Sequence, residues 1–307
     1  MPDGIAAPKP RKSKLLAVAP DIVEPKKPKV LVFGPAGVGK TWTSLDFPSV
    51  YYFDHEGGAD LGHYRQKLLT SGGMYLGPDQ GSLDFETVIG QVQALTTERH
   101  PYKTMVFDSA TKLFNNAISE ESERLGDRDA FGASKKTPVR QMVRLLRWVN
   151  KADMNAVFIC HEKPLWGKDE KGNREEIGKT FDCWEKLEYE LHLTLRVSRI
   201  GTGDQAKRFA NIGKSRLTGF PEGTRFGWSY AEFSERYGRD VMEREVRQIV
   251  VASPEQVAEI NHLLGIVKLP EGSIEKWLTA AQVETWEEME ADKADKVIQV
   301  LKAKLQG

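Results

Sequence analysis

The stretch Gly34-Pro35-Ala36-Gly37-Val38-Gly39-Lys40-Thr41 satisfies the phosphate-loop pattern G-x-x-x-x-G-K-[ST] at every fixed position, and it follows directly on the apolar run Val30-Leu31-Val32-Phe33. The placement constrains the fold as much as the pattern does. Four apolar residues before a glycine-rich turn read as a buried strand. A strand that turns sharply into a helix points several backbone N–H groups, and the positive end of a helix dipole, at one spot. The glycines let the chain wrap a phosphate closely, Lys40 can reach the β- and γ-phosphates, and the Thr41 hydroxyl can hold Mg²⁺. The expected nucleotide-binding residues are therefore Gly34, Pro35, Ala36, Gly37, Val38, Gly39, Lys40, Thr41 and the adjoining Trp42, with ATP and Mg²⁺ as the cofactors. The competing reading is an ordinary glycine turn between a strand and a helix.

From Lys29 onward, strand and helix patterns alternate. Val50–Phe53 reads as a second strand, and 84–98 as a helix with Phe85, Val88, Ile89, Val92 and Leu95 on one face. Thr104–Phe107 is a third strand, followed by a helix from about 109 to 125. Thr137-Pro138 supplies a cap and a first-turn proline for a helix running to about 152, and Ala156–Ile159 is a fourth strand. This alternation predicts an α/β fold with a mostly parallel central sheet flanked by helices. Leu191, Leu193, Leu195 and Val197 then alternate with polar residues, so the later strands are expected to be antiparallel and half exposed.

The pattern fades near 236–252. It restarts at Ser253-Pro254-Glu255-Gln256, a capping box with proline at the first helical position, and 253–307 reads as three short helices with a small core of their own. The expected division is a basic, flexible tail over 1–27, an ATPase core over 28–236, a linker over 237–252 and a helical module over 253–307. The apolar patch Leu15–Ala19 within the tail reads either as part of a disordered arm or as a peptide that docks on a neighbouring subunit. Segments 120–137 and 162–186 read as long loops of the kind that carry function.

Composition narrows the partners. Forty-four basic residues balance forty-four acidic ones, so any nucleic-acid binding needs a local basic surface. The mean hydropathy of −0.47 and the lack of a long apolar run predict a soluble chain with no membrane partner, and the N-terminus shows no signal-peptide core. Cys160 and Cys183 give no disulfide framework and suit the cytoplasm. With His161 and His192 they match no compact zinc-ligand spacing.

Hydrolysis needs a held metal and an aligned water. Asp108 closes the third strand, where an acid that positions Mg²⁺ belongs. The next residue is Ser109, although AAA-type ATPases usually carry their water-orienting acid there, and this disfavours an AAA-type remodelling ATPase. Glu56, just past the second strand in Asp54-His55-Glu56-Gly57, is the expected replacement, because adjacent parallel strands open at one crevice. His161, after the fourth strand, sits at the same edge and is a candidate sensor of the γ-phosphate. Lys214 and Arg216 are candidate cations for the phosphates, in their own subunit or a neighbour's. A solvated basic turn is the alternative.

In order and approximate spacing, Gly34–Thr41, Tyr52–Gly57, Val106–Thr111 and the run from Val139 to His161 resemble the RecA/RadA recombinase ATPase core, over about 28–235. The chain is most similar in overall look to the core-only RecA-like ATPases of bacteriophages associated with single-strand annealing and recombination (the Sak-type group). The resemblance supports Glu56 as the water-activating acid. The family's sensor is usually Asn or Gln, so His161 departs from it. Lys214-Ser215-Arg216 is similar to a basic motif that touches nucleotide across a subunit interface. The resemblance also implies a filament or ring of identical subunits and two DNA-binding loops. The first would hold Arg128, Lys135 and Lys136. The second would hold Lys163, Trp166, Lys168, Lys171, Arg174 and Lys179, with cations for phosphates and rings for bases. Asp169, Glu170, Glu175 and Glu176 cancel much of its charge, so each subunit is expected to bind weakly and an oligomer to add contacts, and a solvated charged hairpin is the alternative. The function implied is a DNA-stimulated ATPase of recombination that binds single-stranded DNA, with a single-strand-binding or other recombination protein as a further partner. The alternative is a nucleotide-switched adaptor with little turnover that recruits such proteins through 253–307.

Overall fold

A computed structural model describes residues 24–60 and 62–305. The patch Leu15–Ala19 lies outside the described residues. One sheet of nine strands organises the core. Strand β1 (Lys29–Phe33) is wholly buried and lies between β5 (Asn155–Lys168) and β7 (Leu193–Ile200), parallel to both. Beyond β5 come β4 (Thr104–Asp108), β2 (Val50–Asp54) and β3 (Met74–Leu76), all parallel. Because these strands run the same way, the phosphate loop, Glu56, Asp108 and His161 all leave the sheet at one edge. Strand β5 separates the phosphate-loop strand from the Asp108 strand, which puts His161 between them.

The register has an identifiable lock. Phe53, Phe107 and Phe158 are directly paired across β2, β4 and β5, and their rings stack at centroid distances of 4.6 and 4.4 Å. Each such ring pair contributes about 1 kcal/mol beyond simple burial. A one-residue slip would turn the whole set to the other face. The stack therefore helps to keep Glu56, Asp108 and His161 level with one another.

Helices cover both faces, and the single turn α6 (Leu187–Glu190) leads into β7. Residues α3 (Phe85–Thr97), α4 (Ala110–Leu125) and α5 (Lys136–Lys151) pack one side around Leu31, Phe107 and Phe158. The other side buries Val32, Leu45, Val106 and Leu195 against α1 (Lys40–Ser44), α2 (Gly62–Ser71) and α7 (Tyr230–Tyr237). All five residues expected on one face of α3 are buried, and the Asp84 carboxylate caps this helix by accepting from the Glu86 and Thr87 amides. Among the described residues, no helix is long and apolar enough to cross a membrane.

Four local expectations are corrected. The helix after the phosphate loop is a single turn, so its dipole is weaker than that of a full helix and the loop amides carry more of the anion attraction. Helix α5 starts one residue before Thr137, whose hydroxyl donates to Glu121 Oε1 at 2.9 Å instead of capping. Strand β7 is parallel and central. Its alternation arises because Arg196 faces Glu162 and Thr194 is buried, while β8 (Lys207–Ser215) and β9 (Arg225–Gly227), which follow it in the sheet, pair antiparallel.

The fourth correction concerns 162–186, which is largely not a loop. Strand β5 continues beyond the sheet to Lys168 and pairs antiparallel with β6 (Arg174–Asp182), giving roughly 20 Å of two-stranded arm. An isolated hairpin is marginal in water. This one is fastened at its root by Lys163–Asp182 at 3.0 Å and by buried Phe181, whose ring meets Phe33 edge-on at 6.2 Å. At its far end Asp169 accepts from the Lys171 and Asn173 amides. Phe33 directly precedes Gly34, so the arm and the phosphate loop share a support.

After α8 (Arg239–Glu243) the chain runs extended along the core, with Arg244 on Asp153 at 2.7 Å and Ile249 N–H donating to Thr96 O. Then α9 (Pro254–Ile266), α10 (Ser273–Ala281) and α11 (Ala291–Leu305) enclose a separate apolar cluster around Ile260, Met289 and Leu301. The capping box at Ser253 and Gln256 forms as its spacing suggests. Buried Glu288 joins this cluster to the core by accepting from Gln93 and Arg144 at 2.9 and 2.8 Å.

Candidate active site

The phosphate loop lies where only glycine fits. Gly34 has φ 149°, and a Cβ there would sit 2.3 Å from the Val197 carbonyl oxygen. Gly39 has φ 88°, and a Cβ would meet the Arg208 side chain at 2.7 Å. Tight apposition to β7 and β8 thus forces the loop to curl over the sheet edge. It borders a cavity of about 470 Å³ whose lining includes Lys40, Thr41, Glu56, Asp108, His161 and Glu162. Lys40 Nζ donates to the Gly34 and Pro35 carbonyls at 2.8 and 2.9 Å. Burial lowers its pKa, while Asp108 and Glu56 act against that shift.

Asp108 is buried. Its Oδ2 accepts from the Thr41 hydroxyl at 2.5 Å and from the Tyr52 hydroxyl at 3.0 Å. Burial pushes its carboxyl up to about 6, against the pull of the Thr41 hydrogen bond. A hydroxyl and a carboxylate this close are hard oxygen donors of the kind Mg²⁺ takes alongside water and phosphate oxygens, so the residues present fit that ion.

Glu56 reaches the cavity from the turn after β2. Asp54 builds that turn: its Oδ1 accepts from the Gly58 amide at 2.9 Å and its Oδ2 from the Ala59 amide at 2.7 Å. Glu56 Oε1 accepts from the Ser109 hydroxyl at 2.5 Å and lies 2.5 Å from His161 Nε2. Ser109 Oγ and His161 Nε2 are 3.3 Å apart, which closes a three-residue cluster. Burial raises the Glu56 carboxyl, but the hydrogen bonds from Ser109 and His161 outweigh it and hold it below its ordinary value. Both contacts fall on Oε1, so Oε2 is the oxygen left to orient a water.

His55 beneath this turn is fully buried. Its Nδ1 donates to Ser82 O at 2.5 Å, its Nε2 has no partner, and burial lowers its pKa from 6.5 to about 4. The folded value lies below the unfolded one, so the unfolded chain takes up more protons in this window. The His55 contribution to stability is therefore level above pH 6.5 and falls by about 3 kcal/mol as pH drops to 4, while Asp108, held up to about 6, acts in the opposite sense over much of the same window. Urea unfolding of the wild type and of His55→Gln across this range checks it: the wild type minus variant difference in stability should fall by about that amount between pH 6.5 and 4, and a difference that does not change with pH would contradict it.

Not all expected site residues meet here. Trp42 lies on the outer side of α1, with Lys67 Nζ 3.8 Å from its ring centre, and it lines a different cleft. Lys214 and Arg216 cannot serve a phosphate in their own subunit. Strand β8 runs antiparallel to β7, so its end lies at the opposite edge of the sheet, where Lys214 donates to the Glu188 and Leu191 carbonyls and Arg216 to that of Tyr189. The start of β8 instead brings Arg208 against the phosphate loop, a cation no motif announces.

Of the expected DNA-contacting residues, Arg128 and Lys135 are exposed on short turns between α4 and α5, and Lys136 opens α5. The other six lie on or at the tip of the arm. Lys163 is paired with Asp182, Lys179 with Glu176 at 2.6 Å, and Arg174 lies 4.4 Å over Trp166, while Lys168 and Lys171 stand exposed at the far end.

No curated protein matches the chain. Among solved structures it is similar to a KaiC-like protein of Pyrococcus horikoshii OT3, at 13% identity over 66% of this chain and 85% of that one, with a TM-score of 0.39. It is also similar to the RadB recombinase, at 16% identity over 66% and 87% with a TM-score of 0.41. A third is the flagellar accessory protein FlaH of Methanocaldococcus jannaschii, at 13% over 66% and 85% with a TM-score of 0.36. Residues 26–218 match the family model described as AAA domain. Ser109 stands where an AAA-type remodelling ATPase carries its acid, and here a carboxylate enters the cavity from Glu56. The match takes in the phosphate loop, Asp108 and the whole arm, well over half of the 307 residues, and the chain belongs to the AAA domain family of P-loop NTPases.

Proposed function

We propose that this protein is a Mg²⁺-dependent ATPase of phage-type DNA recombination and single-strand annealing that works on single-stranded DNA as a homo-oligomer. One observation carries the reading: the water-aligning candidate Glu56 contacts His161, and His161 is the root of an arm whose far end presents Lys168 and Lys171 to solvent. Lys40 supplies charge to the β- and γ-phosphates. Thr41 and Asp108 would hold Mg²⁺, which would screen charge on the phosphate oxygens when bound. Glu56 orients the attacking water through Oε2. His161 passes the state of the γ-phosphate to the arm, where Lys168, Lys171, Arg174 and Trp166 meet DNA. Lys214 and Arg216 would reach a nucleotide only across a subunit interface. The oligomer as filament or ring, a cytoplasmic setting and a recombination-protein partner belong to the same reading.

ATP turnover should rise when oligo-dT is added in the presence of Mg²⁺. Absence of turnover with and without DNA would remove the enzyme. It would leave the second reading, a nucleotide-switched adaptor, which is favoured by the separate apolar core of α9–α11. Stoichiometric retention of unhydrolysed ATP would identify that case.

A further inference from the structure

We infer that single-stranded nucleic acid also lies along the groove between the root of the arm and the outer face of β7, β8 and β9, so that the sheet is part of the binding surface. The inference rests on the single-strand reading above. Cross-strand register places Arg196, Ser198 and Ile200 on one face with their partners Asn211, Phe209 and Lys207, and Arg225 of β9 joins them opposite Asn211. The two faces of these strands differ sharply. Leu195, Val197, Ala210, Ile212 and Phe226 on the opposite face are buried with α7. On the outer face Ile200, Lys207 and Arg225 are exposed, and Arg196, Ser198, Phe209 and Asn211 are half-buried.

The arm overhangs this face. Glu162 at its root bonds Arg196 at 2.6 Å, and Lys179 and Phe181 of the arm line a groove of about 320 Å³ together with Arg196, Asn211 and Lys214. Two features of the groove fit a polyanion with flat bases. The first is charge. Within the groove Arg196 and Lys179 have carboxylate partners and Lys214 lies beside Glu188, so the surplus positive charge lies on the adjoining face of β8 and β9, where Lys207 and Arg225 have no carboxylate within 4.0 Å among the described residues. The second is an aromatic platform. The Arg225 guanidinium lies 4.9 Å over the Phe209 ring, and a ring with a guanidinium plane is a sequence-tolerant stacking surface for single-stranded bases. At the floor, Thr194 is only 4% exposed and its hydroxyl has no partner.

Anisotropy of fluorescein-labelled oligo-dT, titrated with the full chain at several salt concentrations, tests this. Each lost phosphate contact on a single strand lowers the salt slope by about 0.7, so Lys207→Ala/Arg225→Ala should lower it by about 1.4. Phe209→Leu should weaken binding roughly 5- to 100-fold, and Phe209→Trp should restore it. Thermal unfolding and sedimentation should match the wild type. If these variants bind with wild-type slope and affinity while Lys168→Ala/Lys171→Ala weakens binding, the strand follows the arm alone and the inference fails without the proposed function. Wild-type chain that binds no oligo-dT overturns both. Unchanged binding with altered sedimentation would make this face a contact between copies of the chain and would equally overturn the inference.

Discussion

Glu56→Gln is expected to lower ATP turnover by ~10²–10⁴-fold while leaving ATP affinity little changed, because a positioned acid–base group typically contributes that much to a rate. The substitution preserves size and keeps an oxygen to accept from Ser109. It removes the negative charge that would orient and polarise a water on Oε2. A neutral amide oxygen also accepts more weakly than a carboxylate, so the contact with His161 should loosen without the fold changing. Radiometric turnover alongside binding of a fluorescent ATP analogue separates these effects. Normal hydrolysis by this variant would show that the water is aligned by another group, and Glu162 on the same cavity would be the next to replace.

Lys40→Ala should act on binding instead. In the described state Lys40 is half-buried, with its ammonium on two loop carbonyls. Turning it from these acceptors to the phosphates exchanges neutral partners for charged ones, and charge-assisted hydrogen bonds are about twice as strong. Removing the side chain should weaken ATP affinity by roughly 10²-fold or more, since hydrogen bonds to charged groups contribute about 1.5–3 kcal/mol each. Calorimetric titration of ATP in Mg²⁺ reads this directly. Affinity within a few-fold of wild type would mean that the loop amides and Arg208 hold the phosphates without Lys40.

The fold was largely legible because its signals are local. The run Val30–Phe33, the stripe of α3 and the capping box at Ser253 each lie within a few residues of chain, and each forms as its pattern suggests. The chemistry of the site was legible only in part. Glu56 and His161 are expected at one sheet edge from strand ends alone, but their contact joins positions 105 residues apart, and the Ser109 hydroxyl that completes it reads in sequence only as a missing acid. The arm was hidden for a different reason. Both its faces meet solvent, so 163–182 lacks the apolar–polar alternation that marks a half-buried strand. Lys214 and Arg216 were misplaced within the subunit because a motif does not reveal the direction in which its strand runs. The reversal at β8 that carries them away brings Arg208 in.

The central claim is that Lys40, the Thr41–Asp108 pair and Glu56 converge on one triphosphate. A structure of the oligomer with Mg²⁺, a non-hydrolysable ATP analogue and oligo-dT tests it most directly. The account predicts Glu56 Oε2 within about 2.6–3.2 Å of a water facing the γ-phosphate, and the metal beside Thr41. A γ-phosphate with that water held by a different acid, and Glu56 turned away from it, would contradict the account.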